Sequence, residues 1–265
     1  MVTTNHQLSY GNIFAIGIFH LGAILALFHY ESRWLWLAPI IWMISHGIGL
    51  AVGFHRLLTH RGFKTPKWVE YVITLCGALA LQGGHIKWVA IHREHHRFTE
   101  QIEDPHSPRN GFFHSHIGWM LYPNPEFATP KFLKQYAKDL TNDRFHVFLN
   151  RWWWLPSMVL ASGLFYFGGL PAVLWGIFIP VAVGLQFTWL VNSACHLWGS
   201  RMFETNDDSK NNWLVAWVTW GEGWHNNHHN QPTRARHGIK WYQFDFGWYF
   251  ILILSFLRLA KEIKT

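Results

Sequence analysis

The chain alternates long uncharged runs with short charged segments, and the runs have the lengths of membrane crossings. Residues 1–30 contain no Asp, Glu, Lys or Arg. Within them, 11–30 is long enough for one helical crossing, which takes about 20 apolar residues. After Glu31 and Arg33 a second uncharged run of 21 residues, 34–54, ends directly on His55. A third, 152–200, is 49 residues long, with room for crossings at 152–168 and 171–192. Gly168-Gly169-Leu170-Pro171 supplies the turn signal between those two. Tyr71 to Ile86 is also uncharged but only 16 residues long, which suits a buried or re-entrant helix near the interface. Phe246 to Leu257 is shorter still and is expected to be an interfacial amphipathic helix.

This pattern predicts an all-α integral membrane protein with four transmembrane helices in two hairpins. Segments 55–151 and 196–265 would form a helical cap. Basic residues set the orientation. Residues 55–67 and 87–151 hold 13 Lys/Arg and residues 201–265 hold eight, leaving only Arg33 elsewhere. By the positive-inside rule, both long segments and both termini face the cytoplasm. Every histidine-rich segment then falls on that face.

Composition agrees. Charged residues are 14% of the chain, against roughly a quarter in an average soluble domain. The 18 tryptophans suit membrane interfaces, where one end of a side chain is apolar and the other wet. No linker divides the chain, so one domain spanning 1–265 is expected. The net charge of +7 fits anionic head groups or an acidic protein partner rather than nucleic acid. Cys76 and Cys195 are too few for a disulfide framework and suit buried small hydrophobes. A cleaved signal peptide is not expected, since the N-terminus has no basic n-region.

The candidate chemistry lies in three histidine boxes just outside the apolar runs: His55 and His60; His92, His95 and His96; His225, His228 and His229. On a helix, positions i, i+3 and i+4 share a face. Each of the last two boxes is therefore expected to aim together at one ion. His55 and His60 are five apart. They suit either a box that serves two ions or a helix that ends between them, with Gly62 near the C′ position of such an end. His196 is a ninth candidate. Asn192, four residues earlier on the same face, could hold a metal-bound water.

Eight or nine nitrogens exceed what one ion accepts, so two ions are implied, and imidazole suits Zn, Cu, Fe or Ni. Glu94, Glu100, Asp104 and Glu222 lie among the boxes, either as acceptors that fix histidine tautomers or as solvated loop charges. His6, His20, His29, His46, His114 and His146 read as ordinary hydrogen-bonded or surface histidines. A zinc pair would hydrolyse something with a carboxylate base. A redox pair beside apolar helices points to oxygen chemistry on a lipid.

From about Gly49 to Gln243 the chain resembles the membrane fatty acid desaturases, particularly the Δ9 acyl desaturases of the stearoyl-CoA and cyanobacterial acyl-lipid type. The carriers of the resemblance are His55-Arg-Leu-Leu-Thr-His60-Arg61, His92-Arg-Glu-His-His96 with Asp104-Pro105-His106, Asn192-Ser-Ala-Cys-His196, and Gly221-Glu-Gly-Trp-His-Asn-Asn-His-His229. The resemblance implies two Fe2+ ions and O2-dependent placement of a cis double bond, Δ9, in a saturated long-chain acyl substrate. The chain would thread a bent tunnel whose bend is lined by Gln82, Trp88, Thr188 and Trp189. Pro39 or Met43 would plug its end.

An appended cytochrome b5 domain is not expected, and the Ala235-Arg236-His237-Gly238 wording looks bacterial or cyanobacterial. Ferredoxin is therefore the expected electron donor, in a bacterial inner or cyanobacterial membrane. A di-iron hydroxylase would use the same boxes. A membrane haem or metal-transport protein would need paired intramembrane histidines or acids, and His20 and His46 stand alone.

Overall fold

The computed structural model describes residues 7–265, so His6 lies outside the described residues. In chain order the α-helices are α1 (Tyr10–Phe28), α2 (Leu37–Trp42), α3 (Lys67–Ala78), α4 (His85–Phe98), α5 (Trp119–Leu121), α6 (Pro130–Thr141), α7 (Arg144–Arg151), α8 (Leu155–Val173), α9 (Ile179–Leu197), α10 (Trp213–Val218), α11 (His225–Asn230) and α12 (Phe246–Phe256). The helix α2 runs straight on as a π-helix, Met43–Thr59. Among the described residues, extended pairing is limited to isolated bridges such as Lys64 with Lys261.

Among the described residues, three helices are long and apolar enough to cross a bilayer: Tyr10–Phe28, Ser32–Thr59 and Leu155–Leu197. They cover the three uncharged runs. The last is interrupted at Gly169, whose φ of 62° and ψ of −158° suit only glycine. Leu164 and Gly176 would stand about 18 Å apart along an unbroken helix. Instead, a Leu164 δ-carbon lies 2.5 Å from where a Cβ on Gly176 would sit. The helix is therefore broken and sharply bent at Gly169, within the Gly168-Gly169-Leu170-Pro171 run.

Close helix contacts fix the scaffold under the histidines. A Cβ on Gly49 would fall 2.1 Å from the backbone nitrogen of Gly77, so the π-helix and α3 touch backbone to backbone. Val52, Phe54, Val89, Ala90 and Ile251 are buried where the π-helix, α4 and α12 meet. Each of the Val, Phe and Ile side chains contributes roughly 1.5–3 kcal/mol through burial, and the Ala90 methyl less than about 1 kcal/mol. The capped helices α6 and α7 lie against α4. Thr129 caps α6 and Asp143 caps α7, each side chain accepting from the first turn's amides. Arg93 clamps α4 to the π-helix and to α6, donating to the carbonyls of Leu58 (2.5 Å) and Tyr136 (2.7 Å) and pairing with Asp139.

Three expectations need correction. Tyr71 to Ile86 is not one helix: α3 stops at Ala78, and α4 begins at His85 after a loop holding Leu81 at φ 52° and Gly83 at φ 87°. The helix α12 is not amphipathic. Its buried residues include Ile251 and Leu254, while Leu252, Ile253 and Phe256 are exposed, so it is apolar on every side. The end of the first box uses Arg61, not Gly62, in the left-handed conformation (φ 50°). Gly62 follows, and its amide bonds the carbonyl of Arg56 at 2.9 Å.

A candidate metal centre of two histidine groups

Four helical segments converge at one place: the end of the π-helix, the second half of α4, the end of α9, and α11. They bring together nine histidines in two groups whose ligand atoms lie within 4.8 Å of one another. One group is His55, His60, His92, His96 and His228; the other is His95, His196, His225 and His229. All eight box histidines and His196 therefore meet, but neither of the later boxes serves a single ion.

Helical angles explain the split. At about 100° per residue, positions i and i+4 differ by roughly 40°, whereas i+3 lies about 60° to the other side of i. His92 and His96 form such a 40° pair and face the first group, while His95 turns to the second. In α11 the roles reverse: His225 and His229 pair in the second group and His228 joins the first. The expectation of one ion per box gave way because each helix passes between two sites. His55 and His60 share the first group because the segment between them is π-helical. The amide of His60 donates to the carbonyl of His55, five residues back, at 3.1 Å.

Carboxylates set the tautomers. His95 Nδ1 donates to Asp104 at 2.9 Å, His196 Nδ1 to Glu100 at 3.0 Å and His229 Nδ1 to Asp207 at 2.8 Å. His55 Nδ1 donates to Glu222. Each of these rings then presents a bare Nε2 lone pair inward. The Nε2 atoms of His60, His95 and His229 have no protein partner. Others face each other: His55 to His228 at 3.1 Å, His228 to His96 at 3.0 Å, His96 to His92 at 3.1 Å, and His225 to His196 at 3.1 Å.

Lone pairs so close repel unless a cation sits among them. Ligands about 2.1 Å from one ion at right angles stand about 3 Å apart, which is the spacing observed. The residues present therefore fit a metal pair.

Electrostatics point the same way. Burial, and then the neighbouring histidines, push His60, His92, His95, His96, His225, His228 and His229 well below the ordinary imidazole range. They are neutral and ready to bind. For Glu222, burial acts upward, but the adjacent His55 and Arg56 prevail and hold it well below the usual carboxylate range. Arg56 is itself buried and pairs with Glu222 at 2.9 Å and Asp245 at 2.8 Å. It also donates to the carbonyls of Ala235 (3.0 Å) and Trp220 (3.1 Å).

The outer acceptors expected at Glu100, Asp104 and Glu222 all contact histidines. Glu94 does not. It projects from the opposite side of α4, and burial together with Glu126 raises its carboxyl to about 7. Asp207 and His237 were not legible beforehand. Asp207 sits on a loop 22 positions before His229, with no spacing to mark it. His237 is a buried lone loop histidine whose ring lies 4.5 Å from that of His228 and whose Nδ1 is 3.4 Å from Glu222.

A cavity of about 460 Å³ runs along the groups, touching His55, His92, His106 and His225. Gln82, Trp88, Thr188, Trp189 and Asn192 are on its wall. Gln82 donates to Thr188 at 2.9 Å and accepts from the Trp88 indole at 3.3 Å, joining the start of α4 to α9. Pro39 and Met43 line a second, apolar cavity of about 520 Å³, which shares Trp42, Phe187 and Trp220 with the first. Of the lone histidines, His20 bonds Ile16 and Gln186, His46 bonds Ser45, and buried His146 bonds His85 and Glu70.

The family model for fatty acid desaturases matches residues 32–250. The chain is 44% identical over 260 residues to the sn-2 palmitoyl-lipid 9-desaturase of Nostoc sp. strain 36, covering 98% of this chain and 91% of that one. It is 44% identical over 254 residues to the sn-1 stearoyl-lipid 9-desaturase of Synechocystis sp., covering 95% and 79%. To the acyl-CoA C20 Delta5-desaturase of Anemone leveillei it is 41% identical over 255 residues, covering 96% and 81%. Box spacing, converging lone pairs and this likeness agree: the chain belongs to the fatty acid desaturase family.

Proposed function

We propose that the protein is a membrane acyl desaturase that places a cis double bond, at Δ9, in a saturated long-chain acyl substrate. The observation that carries this reading is a pair of converging histidine groups on the wall of a largely apolar cavity. The names of the Nostoc and Synechocystis relatives support the Δ9 position. The metal pair is iron, held by His55, His60, His92, His96 and His228 at one position and by His95, His196, His225 and His229 at the other, with Asn192 holding a water. When bound, iron supplies the redox chemistry that uses O2 and electrons to remove two hydrogens from the chain.

The protein's own residues do the rest. An alkyl chain offers no polar handle at the reacting carbons, so selectivity must come from position. Gln82 and Thr188, tied to each other and to Trp88, fix the bend of the cavity, and Trp189 closes its side. Asp104, Glu100, Asp207 and Glu222 hold the Nδ1 protons of His95, His196, His229 and His55 and so keep those four Nε2 atoms turned inward. Packing of the π-helix against α3 and α12 keeps bulk water from that side.

The whole chain acts as one domain. The limbs on either side of Gly169 make the third and fourth crossings, with the histidines and both termini on the cytoplasmic face of a bacterial membrane. His60, His96 and His229 are half-buried near that surface, beside exposed Arg61 and Arg97. A basic rim there suits an acidic ferredoxin, since complementary charge speeds encounter.

The test is fatty-acid analysis after expression with a ferredoxin system in a host lacking O2-dependent desaturases. A new cis monoene formed only in air, and absent with His92→Ala, is expected. A hydroxy acid instead would overturn desaturation in favour of hydroxylation.

A further inference from the structure

A single lysine, and no arginine, stands on the wall of the cavity beneath the histidines. Lys87 lies in the first turn of α4, five residues before His92, or about 7.5 Å along the helix axis. It is half-buried, and among the described residues no carboxylate faces it; burial alone pulls its ammonium downward. Glu222, the one carboxylate on that wall, is already paired with Arg56.

Lys87 sits at the open end. It stands three residues past the wall segment 81–84, every residue of which is half-buried like Lys87 itself, whereas His46 and Gly184 on the same wall are buried. The space beside Gly83 is free: a Cβ there would meet no atom within 4 Å. Asn12 spends its amide on the carbonyl of Met120 (2.6 Å), which leaves its oxygen as an acceptor.

An acyl chain must enter tail first, because whatever is joined to its carboxyl end is polar and stays outside. That group therefore rests beside Lys87. A half-buried ammonium without a counter-charge is unfavourable, and an anion arriving with the substrate removes the cost. Relatives of similar identity carry names with different acyl carriers, two lipid and one CoA. Overall likeness thus leaves the carrier open, and this side chain addresses it.

We propose that Lys87 anchors the anionic head of the acyl carrier, a phosphate or sulfonate, at the mouth of the acyl cavity. This rests on the acyl desaturase reading.

The test presents one saturated chain three ways to the full-length, metal-loaded protein: on phosphatidylglycerol, on a neutral galactolipid and as the CoA thioester. Two readouts are taken, displacement of a fluorescent saturated acyl probe and double bonds formed. An anionic carrier should compete about fivefold better than the neutral one, and less so in high salt. Lys87→Gln should erase that preference, Lys87→Glu reverse it and Lys87→Arg retain it. Dependence on Lys87 with phosphatidylglycerol assigns the anion to a lipid, and dependence with the thioester alone assigns it to CoA.

A preference unchanged in Lys87→Gln, or none in the wild type while product forms, would overturn the assignment. No displacement and no product from any carrier would instead remove the acyl desaturase reading beneath it.

Discussion

His60 faces the same ion position as His55 because the helix joining them is a π-helix. The His60 amide reaches the His55 carbonyl at 3.1 Å, and the two rings lie 4.7 Å apart. An α-helix would turn them about 140° from each other. His60→Ala therefore removes a ligand from the group of five and none from the group of four. Metal analysis of the purified variant should show the content falling from two ions per chain toward one. His196→Ala should do the same through the other group, and the double variant should lose both. Complete loss in either single variant would mean that the groups do not bind independently.

Asp207 holds the Nδ1 proton of His229 at 2.8 Å, and no other carboxylate contacts that ring. Asp207→Asn keeps the shape but weakens the acceptor and frees the tautomer. Metal affinity at the second group should fall about 10- to 100-fold, as for other outer partners of metal-binding histidines. Competition with a chelator measures it. An unchanged affinity would show that Asp207 only supports its loop.

Arg56 sits fully buried between Glu222 and Asp245. Arg56→Met leaves two carboxylates in a dry site without their cation, which costs about 3–5 kcal/mol. The expected result is a large fall in melting temperature, or no folded protein at all. A triple variant, Arg56→Met with Glu222→Gln and Asp245→Asn, should recover stability because no charge is left unpaired. If the single variant melts like the wild type, the buried pair is not holding α12 to the π-helix.

Seven of the grouped histidines lie well below their ordinary range because of burial and one another. In the unfolded chain they take up protons near pH 6.5, while in the metal-free fold they stay neutral. Below about pH 6.5 the unfolded state then binds more protons, so folded stability declines as pH falls and is fully present above it. Melting of metal-free protein between about pH 8 and about pH 5 should show this decline. Metal should flatten it, since bound ligands resist protonation. A flat profile without metal would contradict the burial of these rings.

The sequence by itself determined where polar chemistry could stand. Charge vanishes over 1–30, 34–54 and 152–200, so helices satisfying their own backbone had to form there. The helix break at Gly169 was legible because a Gly-Gly-Leu-Pro run has few other uses. The boxes named eight histidines and His196 made nine, and with three carboxylates among them most of the site was in view.

What only the tertiary structure decided is how those residues are shared. Whether His95 joins His92 or His225 depends on α4 passing between two ion positions, a matter of helix placement rather than spacing. The π-helix of 43–59 is likewise invisible to a reading that assumes 3.6 residues per turn. Asp207 and His237 sit on loops, where no periodicity ties sequence distance to spatial distance, so only folding could bring them to His229 and Glu222. Local patterns report which face a side chain takes on its own helix. The meeting of four helical segments is set by packing between them, which no single segment encodes.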